Sequence, residues 1–171
     1  MFKYVTLIGF SLSVLSGCFL LNPNYHNPSL KERAVKVATM PKVCALRKAP
    51  GKRFVCPFDK NPYYSTDEKF IACAKMKLLR DNLAPFELDE VLLQAFEERG
   101  QRDLGTFAFR LKHEADIPKA RKRLKALIDL QPNADEEIVL DGRLVFYFWN
   151  DMGKTGECYP EFKKQILKRF D

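Results

Sequence analysis

The spacing of apolar residues changes along the chain, from helical repeats in the first half to two-residue alternation in the second. Helix-capping sequences open residues 29–39 and 65–83, and each predicts a helix that ends near the next breaker. Residues 41–64 between them have the proline and glycine content of a loop. Apolar residues recur at helical spacing again over 88–99. The pattern therefore predicts a helical N-terminal half.

The second half contains both periodicities. Alternating apolar residues over 107–111 predict a strand with one buried face, and Asp116 can cap a helix that begins at 117. Residues 138–149 contain Asp-Gly between two apolar runs, the typical sequence of a hairpin, and a last helix is expected over 160–170. The order predicts an α+β fold, with a small, mostly antiparallel sheet of three strands and helices packed on it.

The run from Leu144 to Trp149 is apolar on both faces. A strand of this kind has to be central and covered on both sides, because an exposed apolar strand promotes aggregation. Helices on both faces would cover it. A partner protein on one face would also cover it, so this strand is the best sequence-based indication of an interface.

The first 28 residues differ from the rest. Lys3 precedes an uncharged run, and Leu15-Ser16-Gly17-Cys18 leads small residues into a cysteine. This arrangement resembles the signal peptide and lipobox of bacterial lipoproteins. The resemblance implies that residues 1–17 are removed as a signal peptide and that Cys18 is acylated. The alternative is an uncleaved membrane helix, since the uncharged run is close to the minimum length that spans a bilayer.

The same resemblance implies a location. Lipoproteins retained in the inner membrane usually have aspartate after the modified cysteine, and Phe19 stands there instead. We therefore expect lipid anchoring in the outer membrane, at its periplasmic face. Residues 18–28 would be the lipidated tether, whose last ten residues extend to about 35 Å at most. Residues 29–171 would form a single disulfide-stabilised α+β domain close to the bilayer.

Four further cysteines are Cys44, Cys56, Cys73 and Cys158. An even number in an oxidising compartment predicts two disulfides, and the absence of a CxxC pair argues against a redox or zinc motif. Three pairings are possible. The short loop around Pro50-Gly51 favours Cys44–Cys56, which would leave Cys73 to pair with Cys158.

The formal net charge is +7, and its basic excess is concentrated in residues 31–60. Basic segments near a membrane can bind anionic groups, and an ordinary solvated surface is the alternative. Nucleic acid is rejected as a partner because an exported chain rarely meets it. The candidate anion-binding residues are Lys42, Arg47, Lys48, Lys52 and Arg53.

No catalytic residue, metal site or cofactor is predicted. The only serines after Cys18 are Ser29 and Ser65, which are assigned to helix caps, while His26 lies in the tether and His113 stands alone. We therefore expect a non-enzymatic module that binds an envelope protein, as an adaptor or inhibitor. The alternatives are a binder of an anionic envelope ligand, such as lipid A phosphate or peptidoglycan, and thirdly an envelope hydrolase.

Overall fold

The computed structural model describes residues 29–49, 56–78, 80–100, 102–129, 136–151 and 156–167. The predicted signal peptide, the tether and the lipidation residue Cys18 lie outside these ranges. Within the described part of the chain, no helix has the length and apolar character needed to cross a membrane.

The described residues form six strands and four α-helices. The strands are β1 (Cys44–Leu46), β2 (Tyr63–Ser65), β3 (Leu88–Glu98), β4 (Arg102–Leu111), β5 (Glu136–Asp141) and β6 (Leu144–Asn150). The helices are α1 (Glu68–Leu78), α2 (Arg80–Leu83), α3 (Ile117–Asp129) and α4 (Cys158–Leu167). Short 3₁₀ turns occupy Leu30–Arg33, Val37–Thr39 and Glu114–Asp116.

All six strands join one antiparallel sheet in the order β1-β3-β4-β6-β5. Strand β2 pairs with β3 on the same edge as β1, but further along the strand. The fold is α+β, but the prediction of a three-stranded sheet with a helical N-terminal half is wrong. The sheet has six strands, and two of the longer helices, α3 and α4, lie in the second half of the chain.

The largest single error concerns residues 88–99, which were expected to form a helix and instead form β3. All six residues from Val91 to Phe96 are buried, because β3 lies inside the sheet with covering elements on both faces. A continuous apolar run satisfies helical spacing and a doubly buried strand equally well. Tertiary position, which the run itself does not encode, decides between them.

Each face of the sheet has its own hydrophobic core. On one face, α1 and α3 supply Phe70, Ile71, Ala74, Ala120 and Leu124 against apolar residues of β3, β4, β5 and β6. On the other face, α4 and the segment 29–40 supply Cys158, Phe162, Ile166, Leu30, Val35 and Met40. The central strands are therefore covered on both sides, as their apolar composition requires.

Residues 29–40 form two 3₁₀ turns in place of the expected helix. Ser29 does act as a cap, since its Oγ accepts a hydrogen bond from the backbone N–H of Lys31. Between the turns, the buried Gln94 side chain accepts from Val35 N at 2.8 Å and donates to Val35 O at 2.7 Å. Because Gln94 occupies both backbone groups of Val35, those groups are unavailable to a continuous helix.

The two disulfides are Cys44–Cys158 and Cys56–Cys73, so the favoured pairing of Cys44 with Cys56 is wrong. Cys44 lies on β1 opposite Glu98, and the Glu98 carboxylate accepts a hydrogen bond from Cys158 N at the start of α4. The sheet thus brings Cys44 and Cys158 together across 114 residues. Each disulfide belongs to a different core, since Cys56 and Cys73 lie on the α1 side.

Candidate functional site

Among the described residues, the face that carries α1 and α3 is incompletely covered near the end of the sheet where β6 finishes. We call this the Trp149 end, and the opposite end, where Leu88, Leu111 and Leu144 lie, the Ser29 end. Phe107 and Trp149 are only partly buried there and form the floor of a small cleft of about 60 Å³, the aromatic cleft. Its lining residues are Arg47, Lys48, Ala49, Phe58, Asn61, Leu93, Ala95, Phe107 and Trp149.

The Trp149 indole rests directly on a glycine of the neighbouring strand. Gly105 on β4 pairs with Trp149 on β6, and a Cβ built on Gly105 would lie 2.5 Å from one indole carbon. No side chain fits at that position, so the ring approaches the sheet backbone closely. The glycine therefore determines how closely the aromatic floor approaches the sheet backbone.

Phe107 connects this floor to the core. Its ring centroid lies 5.6 Å from that of Trp149 and 6.4 Å from that of Phe109, which is completely buried. Aromatic pairs at these separations attract each other in addition to burying area. The floor is thus held in place by a continuous aromatic row and does not depend on loop residues.

One wall of the cleft is fixed by Asn61. Its side-chain amide donates to Arg47 O at 2.9 Å and to Ala95 O at 2.6 Å, and its Oδ1 accepts from Ala95 N at 3.1 Å. The amide fills the gap between β1 and β2 on the edge of β3, as a strand residue would. The Asn61-Pro62 peptide bond is cis.

Two of the five predicted anion-binding residues line the cleft. Arg47 pairs with Asp103 across 2.6 Å, whereas Lys48 is exposed at the rim. Lys42 precedes β1 and Arg47 follows it, so the strand separates Lys42 from the cleft. Lys52 and Arg53 lie outside the described residues. The described candidates therefore do not form one cluster, but Arg47 and Lys48 add positive charge to an apolar site.

Titratable side chains group at the Ser29 end, away from the cleft. Exposed Glu87 lies 2.8 Å from Lys112 Nζ and 3.6 Å from His113 Nε2, and the hydrogen bond and charge of Lys112 lower the pKa of Glu87. Lys75 Nζ donates to the carbonyl oxygens of Ala84 and Phe86, which secures the turn before β3. Partial burial lowers the pKa of Lys75.

A second ionic group connects the N-terminal segment to the sheet. Glu90 accepts hydrogen bonds from Ser29 Oγ and Leu30 N, and its other oxygen lies 3.0 Å from Arg110 Nε. Burial, followed by the negative charge of Glu90, raises the pKa of the neighbouring Asp89 although Arg110 opposes the shift. These contacts fasten residue 29, the first described residue, to the centre of the sheet.

The described residues contain no group of three or more histidine, cysteine, aspartate or glutamate side chains placed to hold a metal ion. Comparisons with protein families, with curated proteins and with solved structures found no match to this chain. The aromatic cleft and the charge distribution therefore carry the functional argument.

The sequence pointed to β6 but not to the cleft. Leu144 to Trp149 was expected to be central and covered on both faces, and β6 does lie between β4 and β5. Tyr147 and Trp149 nevertheless remain partly exposed. The sequence does not show which residues of neighbouring strands lie opposite each other. Only the pairing of Trp149 with Gly105 places the indole close to the sheet backbone, on a face that the described residues leave partly uncovered.

Proposed function

We propose that this chain is a lipid-anchored binding protein of the bacterial envelope that holds a protein partner in the aromatic cleft without catalysing a reaction on it. The observation that carries the proposal is the half-buried pair Phe107 and Trp149, supported from below by Gly105 and flanked by cations. Tryptophan and arginine are enriched among the residues that dominate protein interfaces, and preformed aromatic floors lose little entropy on binding.

The anchor rests on the tetrad Leu15-Ser16-Gly17-Cys18 and its resemblance to a lipobox. Metabolic labelling with a palmitate analogue tests it directly. We expect label in the wild-type chain and none in Cys18→Ser, which should keep its leader and its full unprocessed mass. An unlabelled wild-type chain of unprocessed mass would mean that residues 1–17 act as an ordinary hydrophobic leader.

The lining predicts the chemistry of the partner. The floor and Phe58 suit one small apolar side chain, and exposed Lys48 suits a carboxylate at the rim. Arg47 is partly neutralised by Asp103, so it contributes less charge than Lys48. The partner is therefore expected to present an apolar side chain next to aspartate or glutamate.

Site-specific crosslinking in intact cells tests this assignment. A photoreactive amino acid in place of exposed Asp59, beside Phe58, should give one discrete adduct, and sequencing of the linked peptide should show the expected apolar and acidic residues. The same probe at Lys36, which is exposed in the segment on the opposite face of the sheet, is the control and should not give that adduct.

Trp149→Leu should abolish the Asp59 adduct, because leucine keeps an apolar strand residue but removes the platform. Val37→Ala, at an exposed apolar position outside the cleft, should leave it unchanged. An adduct that survives Trp149→Leu at wild-type protein levels places the partner elsewhere. Loss of the adduct on modest addition of salt, in place of loss with Trp149→Leu, would favour the anionic envelope ligand, since screened charges and not apolar contacts would then hold it.

A further inference from the structure

Strand β5 forms one edge of the sheet, and among the described residues no strand pairs with it on the side away from β6. The opposite edge is built differently. There β1 and β2 both pair with β3, and the Asn61 side chain bonds to Arg47 and Ala95 in the gap between them. Two strands of three residues thus end the sheet on that side, whereas β5 presents a continuous edge of six residues.

The hydrogen bonds of Ala95 show which way the backbone groups of β5 point. Both the N–H and the C=O of Ala95 bond to Asn61, so they point out of the sheet at the β3 edge. Facing residues of an antiparallel sheet either both point toward each other or both point away. Gly105 therefore points away from Ala95, toward Trp149 on β6, which points back. Glu136, the residue of β5 that pairs with Trp149, consequently points its N–H and C=O out of the sheet.

The middle of β5 has the same open backbone. Ile138 and Leu140 also point outward, because this direction alternates along a strand, and Val139 between them points to β6. All three are apolar, and their pairing with β6 has no bulge. An edge of this kind is a template for a further strand, which proteins usually prevent with bulges, prolines or charges. Glu137 does not supply such a charge freely, because Lys163 Nζ on α4 bonds to its carboxylate at 2.6 Å.

A strand added to this edge would cover apolar surface on both faces of β5. Leu140 packs on the core beneath α1 and α3, and Val139 packs on the core beneath α4. Both side chains are only partly buried. Because cross-strand neighbours stabilise a sheet through their side chains, the segment that fits has apolar residues at successive positions, and not only at alternate ones.

The helix above β5 excludes a second copy of this chain as the occupant. Helix α3 packs on β5, with Ala120 and Leu124 buried in the core that includes Ile138. Antiparallel pairing of two β5 strands turns the second copy by half a turn about an axis through the edge, perpendicular to the sheet. The two α3 helices would then overlap, since neighbouring strands lie about 4.8 Å apart and packed helix axes need about 8–10 Å. An extended segment without a flanking helix has no such conflict.

We propose that β5 binds an extended, apolar segment of the partner protein by strand addition, as a seventh strand beside the six of the sheet. Backbone hydrogen bonds give such a complex its affinity, and the side-chain contacts give its specificity. This inference deepens the proposed function and rests on it for the identity of the partner. The edge is within reach of the aromatic cleft, because β5 begins opposite Trp149 and an added strand lies about 10 Å from β6.

Amide hydrogen exchange of the full chain carrying Cys18→Ser tests whether the edge is open. Without a partner, the amides of Ile138 and Leu140 should exchange at least about 100-fold faster than the amide of Val139, which is bonded within the sheet. Equal protection of the three amides would mean that another part of the chain already pairs with the edge, and this result overturns the proposal.

Crosslinking in intact cells tests the partner. A photoreactive amino acid in place of Val139 should give an adduct with the same protein that the Asp59 probe captures, and the linked peptide should contain successive apolar residues. Leu140→Pro is the test variant, because proline removes an outward N–H that the ladder with β6 does not use. Leu140→Ala is the matched control, because it removes the same side chain and keeps the N–H.

The yield of the Val139 adduct should fall by about tenfold or more in Leu140→Pro relative to Leu140→Ala, since a carbonyl of the partner is left without its donor. A second measurement does not depend on the folding of the proline variant. A synthetic peptide with the linked sequence should slow exchange of the Ile138 and Leu140 amides in the chain without the probe and leave that of Val139 unchanged.

Equal adduct yields in the two variants overturn the proposal, as do the absence of a Val139 adduct, an adduct between two copies of this chain, and a linked peptide that does not slow exchange at Ile138 and Leu140. The cleft is scored separately by the effect of Trp149→Leu on the Asp59 adduct. A Val139 adduct that is lost in Leu140→Pro but survives Trp149→Leu would mean that the edge binds and the cleft does not, so the two failures remain distinguishable.

Discussion

At the scale of single residues, the glycine under the indole has the most specific role. An added Cβ at Gly105 would collide with the backbone oxygen of Gln94 and would lie 2.5 Å from the Trp149 ring. A ring can tilt away, but a backbone oxygen in the centre of a sheet cannot. Gly105 is therefore required both for the sheet and for the aromatic cleft.

We predict that Gly105→Ala destabilises the protein by about 1–3 kcal/mol and displaces the indole. The chain has one tryptophan, so intrinsic fluorescence reports on Trp149 alone. Emission should shift to longer wavelength in the folded state, with a lower urea midpoint. Gly100→Ala is the control, because nothing lies within 4 Å of a Cβ built there. Any loss of stability in this variant comes from the positive φ of 68°. An unchanged spectrum in Gly105→Ala would contradict the close approach.

A carboxylate at the Ser29 end gives a pH-dependent prediction. Burial and Glu90 raise the pKa of Asp89 above its usual 3.8, so its contribution to stability is fully present below that value and decreases as pH rises through the folded-state pKa. Asp89→Asn should therefore raise the free energy of unfolding at pH 7 relative to wild type, and the difference should vanish near pH 3.

Denaturant titrations across that pH range measure the effect. Glu87→Gln serves as the comparison with opposite sign, because Lys112 lowers the pKa of Glu87. The contribution of Glu87 is present above its unfolded pKa and is lost as pH falls, so this variant should be slightly less stable at pH 7. A destabilised Asp89→Asn at neutral pH would show that attraction to Arg110 outweighs burial.

At the scale of elements, periodicity and turn sequence identified most of the second half of the chain. The strand expected at 107–111 lies in β4, the helix expected from 117 is α3, and the hairpin at 138–149 is β5 and β6. Water covers the outer side of α3, whereas β4 and β6 contribute side chains to both cores and were recognised from the alternation over 107–111 and from the Asp141-Gly142 pair. Strand β3 also contributes to both cores, and its apolar residues fitted helical spacing, so it was predicted wrongly as a helix.

The disulfides were mispaired for a related reason. Distance along the chain favoured Cys44 with Cys56, but β1 pairs with the far end of β3, and the Glu98 there caps α4. Only the sheet register brings Cys158 to Cys44. Sequence separation is a poor guide to disulfide pairing when strands from distant segments lie side by side.

The observed pairing predicts unequal contributions to stability. The chain-entropy model gives about 5 kcal/mol for a bond closing 114 residues and about 3 kcal/mol for one closing 17. Replacing Cys44 and Cys158 by alanine should therefore cost about 1–2 kcal/mol more than replacing Cys56 and Cys73, as measured by urea unfolding without reductant. Equal losses would mean that residual structure in the unfolded chain, and not loop closure, sets the effect.

At the scale of the whole molecule, the sequence allowed the α+β class and the covered nature of β6 to be predicted. It did not allow the six-stranded sheet or the cleft to be predicted, because both depend on which strands become neighbours. Trp149 is distant along the chain from Gly105 and Phe107, and it meets them only through the pairing of β4 with β6. The basic outer face of α3 was easier to predict than the cleft, because it follows directly from the helical repeat of one segment.

The stability of the whole fold depends on residues 29–40, which form only two short 3₁₀ turns. Leu30, Val35 and Met40 are at most 8 % exposed and cover the face of the sheet that α4 leaves open. Their burial is worth about 1.5–3 kcal/mol each, together comparable to the 5–15 kcal/mol that separates folded from unfolded domains. Removing the segment would also leave the buried Gln94 amide without its Val35 partners.

We predict that a chain beginning at Ser29 melts at the same temperature as the chain beginning at Cys18, whereas one beginning at Pro41 does not fold cooperatively. Calorimetry and hydrogen exchange of the β3 amides measure both. A cooperative transition in the shorter chain would mean that α4 and the sheet suffice. Because Glu90 holds Ser29 Oγ and Leu30 N, a pull on the proposed tether reaches the central strand β3 directly. Force on the proposed anchor would then pass to the core through the contacts of Ser29 and Leu30.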